Sequence, residues 1–320
     1  LRKSGEFARI DLFLKAFTEA GGLISGAGVR LGPGDDAAVL TTDSPLAVTT
    51  DSLVENVHFR RSWSTWAQVG HKALAVNLSD LAAMAAKPVA FTCALTLPAD
   101  LDDDAVSQIA RGMGELARRF DARLVGGNFS RGTETSLTIT AFGAVGAELL
   151  RRDAARPGDA VLLLGEVGTA AAELRWLESA RSLPAGRSAL LEPAPLVEEA
   201  LKAVRLARCG IDVSDGLVQD LRHIADASQV GVRLDYAAVP TSPPFLRLIG
   251  DLDARGRARL LLAGGEDYAL VVTAPKPAAD ELRRAVGATL IGEVVAGSGV
   301  TVEGLPPGID LAGHDHFAAR

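Results

Sequence analysis

The chain has 320 residues, of which 48% are hydrophobic and 5% aromatic, and a formal net charge of −7. So acidic a chain, with so few stacking rings, has no basic field to hold a nucleic-acid backbone or an anionic membrane, and an anionic substrate must be met by local cations or metal ions. At roughly 100–200 residues per domain, the length suggests two domains.

Taken in chain order, the first residues, LRKSGEFARIDLFLKAF, read as an amphipathic helix broken by charges rather than as a secretory signal. No apolar run approaches the ~18 residues of a membrane span, and the expected location is the cytoplasm. Runs rich in β-branched residues predict strands at 46–50, 90–97, 136–145, 160–165, 210–214, 268–274 and 289–295. Helical periodicity predicts helices over 65–86, 103–120 and 214–228. The alternation points to an α/β or α+β protein. A boundary is expected in GAELLRRDAARPGD, 146–159, and the proline-containing stretch Ser182 to Pro195 reads as a surface connection. Cys93 and Cys209 sit in apolar runs with no CxxC pair, as buried thiols of a reducing compartment would.

The informative acids are those that packing does not call for. Asp35 and Asp36 follow a glycine-proline turn and precede a strand, where a plain turn would also use them. Asp51 is expected to end a strand after Thr49 and Thr50. Asp80 lies on an alanine-rich helix, three residues after Asn77 on the same face. Buried there, it would need a cationic partner, and a metal ion would serve. Asp212 falls within a strand; Ser214 and Asp215 follow it, where they would also suit an N-cap and a first-turn acid. Glu266 and Asp267 come after a glycine pair. Hard divalent cations take several carboxylate, hydroxyl and amide oxygens, and Mg²⁺ commonly shares them with substrate phosphates. Mg²⁺–nucleotide chemistry is therefore the leading expectation. GxxxxGK[ST], HExxH, GxSxG and the protein-kinase HRD and DFG motifs are absent from the sequence. His71 and His223 read as ordinary helix residues.

The segments GPGDDAAVL, VTTDSLVENVHF, VNLSDLAAMAAKP, LVGGNFSRG, IDVSDGL and GGEDYAL, in this order, resemble thiamine-monophosphate kinase over nearly the whole chain. That family is related to aminoimidazole-ribonucleotide synthetase, selenophosphate synthetase and a hydrogenase-maturation protein. The resemblance implies a two-domain aminoimidazole-ribonucleotide-synthetase-like fold. An N-terminal domain, 1–148, would bind ATP and Mg²⁺ and pair strands across a homodimer, and a C-terminal α/β domain, 149–320, would complete the ATP and substrate cleft. Carried over residue by residue, it implies Mg²⁺ binding by Asp36, Thr49, Thr50, Asp51, Asp80, Asn128, Asp212 and Asp215, with the aspartates catalytic through the metal. Gly127, Asn128, Arg152 and Ser214 would contact ATP, and His58, Glu266 and His314 would hold thiamine monophosphate.

This chain departs from the family in carrying Asn128 where an Asp is common, His314 where a large aromatic is common, and Leu196 where an Arg is frequent. An amide oxygen can ligate Mg²⁺ but brings no charge. The sister activities fit less well, since no cysteine precedes Cys93 and the sequence ends HFAAR where the hydrogenase-maturation relative has a C-terminal cysteine. A sister synthetase and a nucleotide-binding homologue with impaired transfer stay open as alternatives.

Overall fold

The computed structural model describes residues 6–33, 37–309 and 311. The chain divides into two compact units, one running to Gly146 and the other from Ala147 onward, with Ala82–Ala85 counted in the second. No helix of the described residues is long and apolar enough to cross a membrane.

The first unit begins with α1 (Glu6–Glu19), the short pair β1 (Val29–Leu31) and β2 (Val39–Leu40), β3 (Leu46–Val54) and α2 (Trp66–Ala83). It continues with β4 (Lys87–Pro98), α3 (Asp103–Arg119), β5 (Arg123–Gly132) and β6 (Ser136–Ala144). A four-stranded sheet is ordered β3-β6-β4-β5. β6 pairs antiparallel with β3 and β4, whereas β4 and β5 run parallel and so need a crossover, which α3 supplies. The sequence writes α3 clearly. Asp102 accepts from Ala105 N at 2.9 Å as the N-cap, Asp103 and Asp104 follow in the first turn, and Arg118 and Arg119 close the last.

Helices α2 and α3 touch backbone to backbone. A Cβ on Gly70 would lie 2.0 Å from the Ile109 carbonyl, and one on Gly112 would lie 1.9 Å from that of Ala67. Side chains at these positions would force the helices apart. Around that contact Phe17, Leu74, Leu78, Phe91, Ile109 and Met113 are essentially fully buried, with Phe17 and Phe91 edge to face at 6.0 Å. Along β6 buried and half-buried residues alternate strictly. One face of the sheet is thus core, and the other carries Val48, Thr50, Ser52, Thr138, Thr140 and Phe142, with Val48 59% exposed.

The second unit holds β7 (Asp159–Leu164), α4 (Thr169–Glu178), α5 (Val197–Ala203), β8 (Cys209–Val213), α6 (Leu217–Ser228) and β9 (Gly231–Asp235). After these come α7 (Pro243–Leu248), α8 (Ala254–Ala263), β10 (Ala269–Pro275), α9 (Lys276–Val286), β11 (Thr289–Val295) and β12 (Gly299–Glu303). Its six-stranded sheet is ordered β12-β9-β11-β7-β10-β8. β7 and β8 are buried at every residue and β10 at all but its last, because helices cover both faces. α6 packs on β8, β9 and β12, while α9 packs on β7, β10 and β11. The mixed α/β architecture agrees with the sequence reading.

Some expectations are corrected. β5, β9 and β12 were not expected as strands; β5 reads RLVGGNFSRG, a turn-like composition held extended by parallel pairing with β4. The stretch after α4 is more than a surface connection. The buried Glu173 accepts from the Ser188 hydroxyl at 2.7 Å and from Leu190 N at 2.8 Å, which seats Leu190 and Leu191 in a small apolar cluster. Helix α6 starts later than expected, with Gly216 as its N-cap, so Ser214 and Asp215 precede the helix and neither caps it.

Candidate active site

Two sets of oxygen donors stand out, one in each unit. In the first unit, β3 does not end at Asp51 but continues to Val54, so Thr49 and Asp51 fall on one side of the strand and Thr50 on the other. The Thr49 hydroxyl donates to Asp80 Oδ2 of α2 at 2.5 Å. Asn77, fully buried one turn earlier, accepts from the backbone N–H of Asp51 at 3.0 Å and donates to the Ala73 carbonyl. Asn77 therefore ties the strand at Asp51 to the helix one turn before Asp80. Asp80 is half-buried rather than enclosed as its apolar helix suggested. Thr50 turns away, donating to the Ile139 carbonyl at 2.9 Å. Asp36 lies outside the described residues.

Beyond β3 the chain makes a tight return. Asn56 takes φ 64°, His58 N donates to the Val54 carbonyl, and His58 Nδ1 accepts from Val54 N at 3.1 Å. With Nδ1 accepting, the ring proton sits on Nε2. The buried Lys72 of α2 donates its ammonium to the His58 carbonyl at 3.2 Å and so holds the loop from below. Glu55, in the same stretch, is structural. It pairs with Arg61 at 2.6 Å and accepts from Thr135 N at 3.0 Å. Burial opposes its charge, but the Thr135 N–H and the Arg61 guanidinium hold it below the usual carboxylate range.

Gly127 and Asn128 lie exposed on β5, opposite Cys93 and Ala94 of β4. A Cβ on Gly127 would fall 2.0 Å from the Cys93 carbonyl. Glycine is needed there for strand approach whatever else it contacts. The two cysteines are inert: burial pushes the Cys93 thiol far up and that of Cys209 up to about 12.

In the second unit Asp212 is buried in β8, while Ser214 and Asp215 lie half-buried in the turn before α6. The turn before β10 docks on the same strand end: Glu266 N donates to the Ser214 carbonyl at 2.7 Å and Tyr268 N to the Val213 carbonyl at 2.8 Å. Glu266 and Tyr268 take φ of 65° and 51°, left-handed conformations that cost non-glycine residues energy and persist because these bonds hold them. Between them Asp267 reaches the start of α4, accepting from Gly168 N at 2.7 Å and Ala170 N at 3.2 Å. Asp267 is half-buried, and desolvation of its carboxylate pushes it up to about 8 against those two donors.

Arg152 is exposed, and its carbonyl accepts from the Ser228 hydroxyl at 2.7 Å. His314 lies outside the described residues. A cavity of about 780 Å³ with Arg151, Arg156, Arg205 and Arg208 in its wall opens beside Pro275. Since Pro275 pairs with Asp159 and Ala269 with Val213, this cavity is at the opposite end of the strands from Ser214.

Sequence reasoning missed Lys72, Asp220 and Asp267 as organisers of the site. Asp220 is buried and accepts from the amides around Asp215, and burial, followed by the charge of Asp215, pushes it up to about 7. His223, read as an ordinary helix residue, brings a ring nitrogen within 4.8 Å of carboxylate oxygens of Asp215 and Asp220. The signal for both was the spacing DGLVQDLRH, which returns α6 residues to the turn that precedes it.

A family model described as AIR synthase related protein, N-terminal domain, matches residues 34–145, and its C-terminal counterpart matches 156–304. Fold and site thus define an AIR-synthase-related protein with two α/β domains. The thiamine-monophosphate kinase of Escherichia coli strain K12 is 38% identical over 307 residues, which is 91% of this chain and 93% of the relative. The crystal structure of thiamine-monophosphate kinase from Stenotrophomonas maltophilia K279a matches with a TM-score of 0.80 and 36% identity, covering 92% of this chain and 96% of that one. A structure of AaThiL complexed with AMPPCP and TMP matches with a TM-score of 0.77 and 28% identity over 99% of both chains. The chain belongs to the thiamine-monophosphate kinase family.

Proposed function

We propose that this protein transfers the γ-phosphoryl group of ATP to the phosphate of thiamine monophosphate, giving thiamine diphosphate and ADP. The observation that carries this reading is the match, over nine-tenths of both chains, to an E. coli enzyme named for that activity. The resemblance to AaThiL, described in complex with AMPPCP and TMP, supports the same pair of substrates.

The acceptor phosphate has a second pKa of roughly 6 and is largely ionised at neutral pH, so the reaction needs little general-base help. The obstacle is repulsion. Two unit charges at about 4 Å repel by roughly 4 kcal/mol at an effective dielectric near 20, and two polyanions bring several such pairs. Bound Mg²⁺ would supply the positive charge that offsets this repulsion. The donors present suit it, being hydroxyl, carboxylate and amide oxygens without sulfur. In our reading Thr49, Asp51 and Asp80 hold Mg²⁺ from the first unit, together with Asp36, Asn128 and the backbone at Thr50. Asp212 and Asp215 do so from the second. Gly127, Asn128, Arg152 and Ser214 meet ATP. His58, with its Nε2–H donor, Glu266 and His314 position the thiamine phosphate. The domains in this account are 1–148 and 149–320.

We further propose that the chain works as a homodimer in the cytoplasm. The open sheet face of the first unit, where Val48 and Phe142 flank a field of threonine and serine hydroxyls, would be covered by the same face of a second copy. The buried free thiols Cys93 and Cys209 suit a reducing compartment.

The test is to incubate the purified protein with Mg²⁺–ATP and thiamine monophosphate and to quantify thiamine diphosphate by chromatography, with blanks lacking acceptor or metal. Product that requires both is expected. ATP turnover that ignores thiamine monophosphate would overturn the substrate assignment, and the same yield in chelator would overturn the metal.

A further inference from the structure

The turn that carries Ser214 and Asp215 is held by a single buried carboxylate. Asp220, in the first turn of α6, is 2% exposed. Its Oδ2 accepts from the backbone N–H groups of Ser214, Asp215 and Gly216, each at 3.1 Å. Three consecutive amides converge on one oxygen. The arrangement works like the reach-back half of a capping box, in which a first-turn side chain bonds the amides ahead of the helix, and Gly216 has no side chain of its own to do this.

The effect reaches beyond the turn. With its amide tied to Asp220, Ser214 presents its carbonyl to Glu266 N at 2.7 Å, and that bond helps hold Glu266 in its left-handed conformation. One buried oxygen therefore sets the backbone of Ser214 and Asp215 directly and that of Glu266 at one remove. Gly265 adds a steric limit, since a Cβ there would lie 2.6 Å from the Ser214 carbonyl.

We propose that Asp220 is a positioning residue for phosphoryl transfer, which orients Ser214 and Asp215 toward the nucleotide and, through the Ser214 carbonyl, Glu266 toward the acceptor. This rests on the kinase reading. A displacement near 1 Å at reacting groups can cost on the order of 100-fold in rate, so loosening the turn should be costly without unfolding the protein.

The experiment uses the full chain with Asp220→Asn, which keeps shape and an acceptor oxygen, and Asp220→Ala, which removes every acceptor. Hydrogen exchange read by mass spectrometry should show faster exchange at amides 214–216 in Asp220→Ala, with the β4 and β7 amides unchanged. Steady-state kinetics of Asp220→Ala should show kcat/KM for ATP and for thiamine monophosphate both falling, by about 10- to 100-fold, with Asp220→Asn, which keeps the acceptor, closer to the wild type. In the Asp215→Asn background Asp220→Ala should cost much less, because the two act through one group. Unchanged exchange at 214–216 in Asp220→Ala overturns the positioning role. So does full additivity with Asp215→Asn, or wild-type kinetics in Asp220→Ala. Absence of kinase turnover in the wild type would instead overturn the functional reading, while the exchange result would still decide whether Asp220 holds the turn.

Discussion

Asp80 and Asp267 are both acids set in runs of small residues, yet their surroundings ask different things of them. Asp80 accepts from the Thr49 hydroxyl, one turn after Asn77 ties Asp51 to the helix. Its negative charge is what a metal would use. Asp80→Asn keeps an acceptor for Thr49 and removes that charge, so turnover should fall by about 100-fold or more while the melting temperature stays near wild type; a variant with wild-type kcat would remove Asp80 from the metal set. Asp267 caps α4 from outside and is pushed up to about 8 from an ordinary value of 3.8. Because the folded state binds this proton more tightly than the unfolded chain, its contribution to stability is complete below about pH 4. It fades as pH rises through 8. Asp267→Asn lacks the titration, so its melting temperature should decline less between pH 5 and 9 than the wild type's; parallel curves would show that Asp267 carries no such linkage.

At the scale of elements, the site depends on close backbone contacts that fix where strands and helices end. β5 can lie against β4 in parallel register only because Gly127 has no side chain facing the Cys93 carbonyl. Gly127→Ala should cost ~1–3 kcal/mol by overpacking, seen as a lower urea midpoint, and an unchanged midpoint would mean that the strands part freely. In the second unit the left-handed Glu266 and Tyr268 belong to the same logic. The turn before β10 bonds the end of β8 at both residues, so the backbone of Glu266 is tied to that of Val213 and Ser214.

For the whole molecule, the proposed dimer would cover the open sheet face. The wild type should sediment at twice the chain mass. Thr138→Arg, which places a charge where Thr138 meets Ser52 on that face, should shift it toward the monomer; a monomeric wild type at micromolar concentration would refute the dimer. Sequence by itself determined much of this protein. Periodicity and β-branched runs located β3, β4, β6, β7, β8, β10 and β11 together with α2 and α3, because these elements carry their own hydrophobic period and, in α3, their own caps. The ordered acidic motifs named the family for the same reason: short-range spacing is written in the chain. Only the tertiary structure decided the rest. β5 is a strand because β4 pairs with it, not because RLVGGNFSRG favours one. Thr50 faces away from Thr49 and Asp51, and Ser214 yields the capping role to Gly216. Lys72, Asn77 and Asp267 act through hydrogen bonds to backbone that is distant in sequence, and no local pattern records which amide or carbonyl a buried side chain will meet once the core has closed around it.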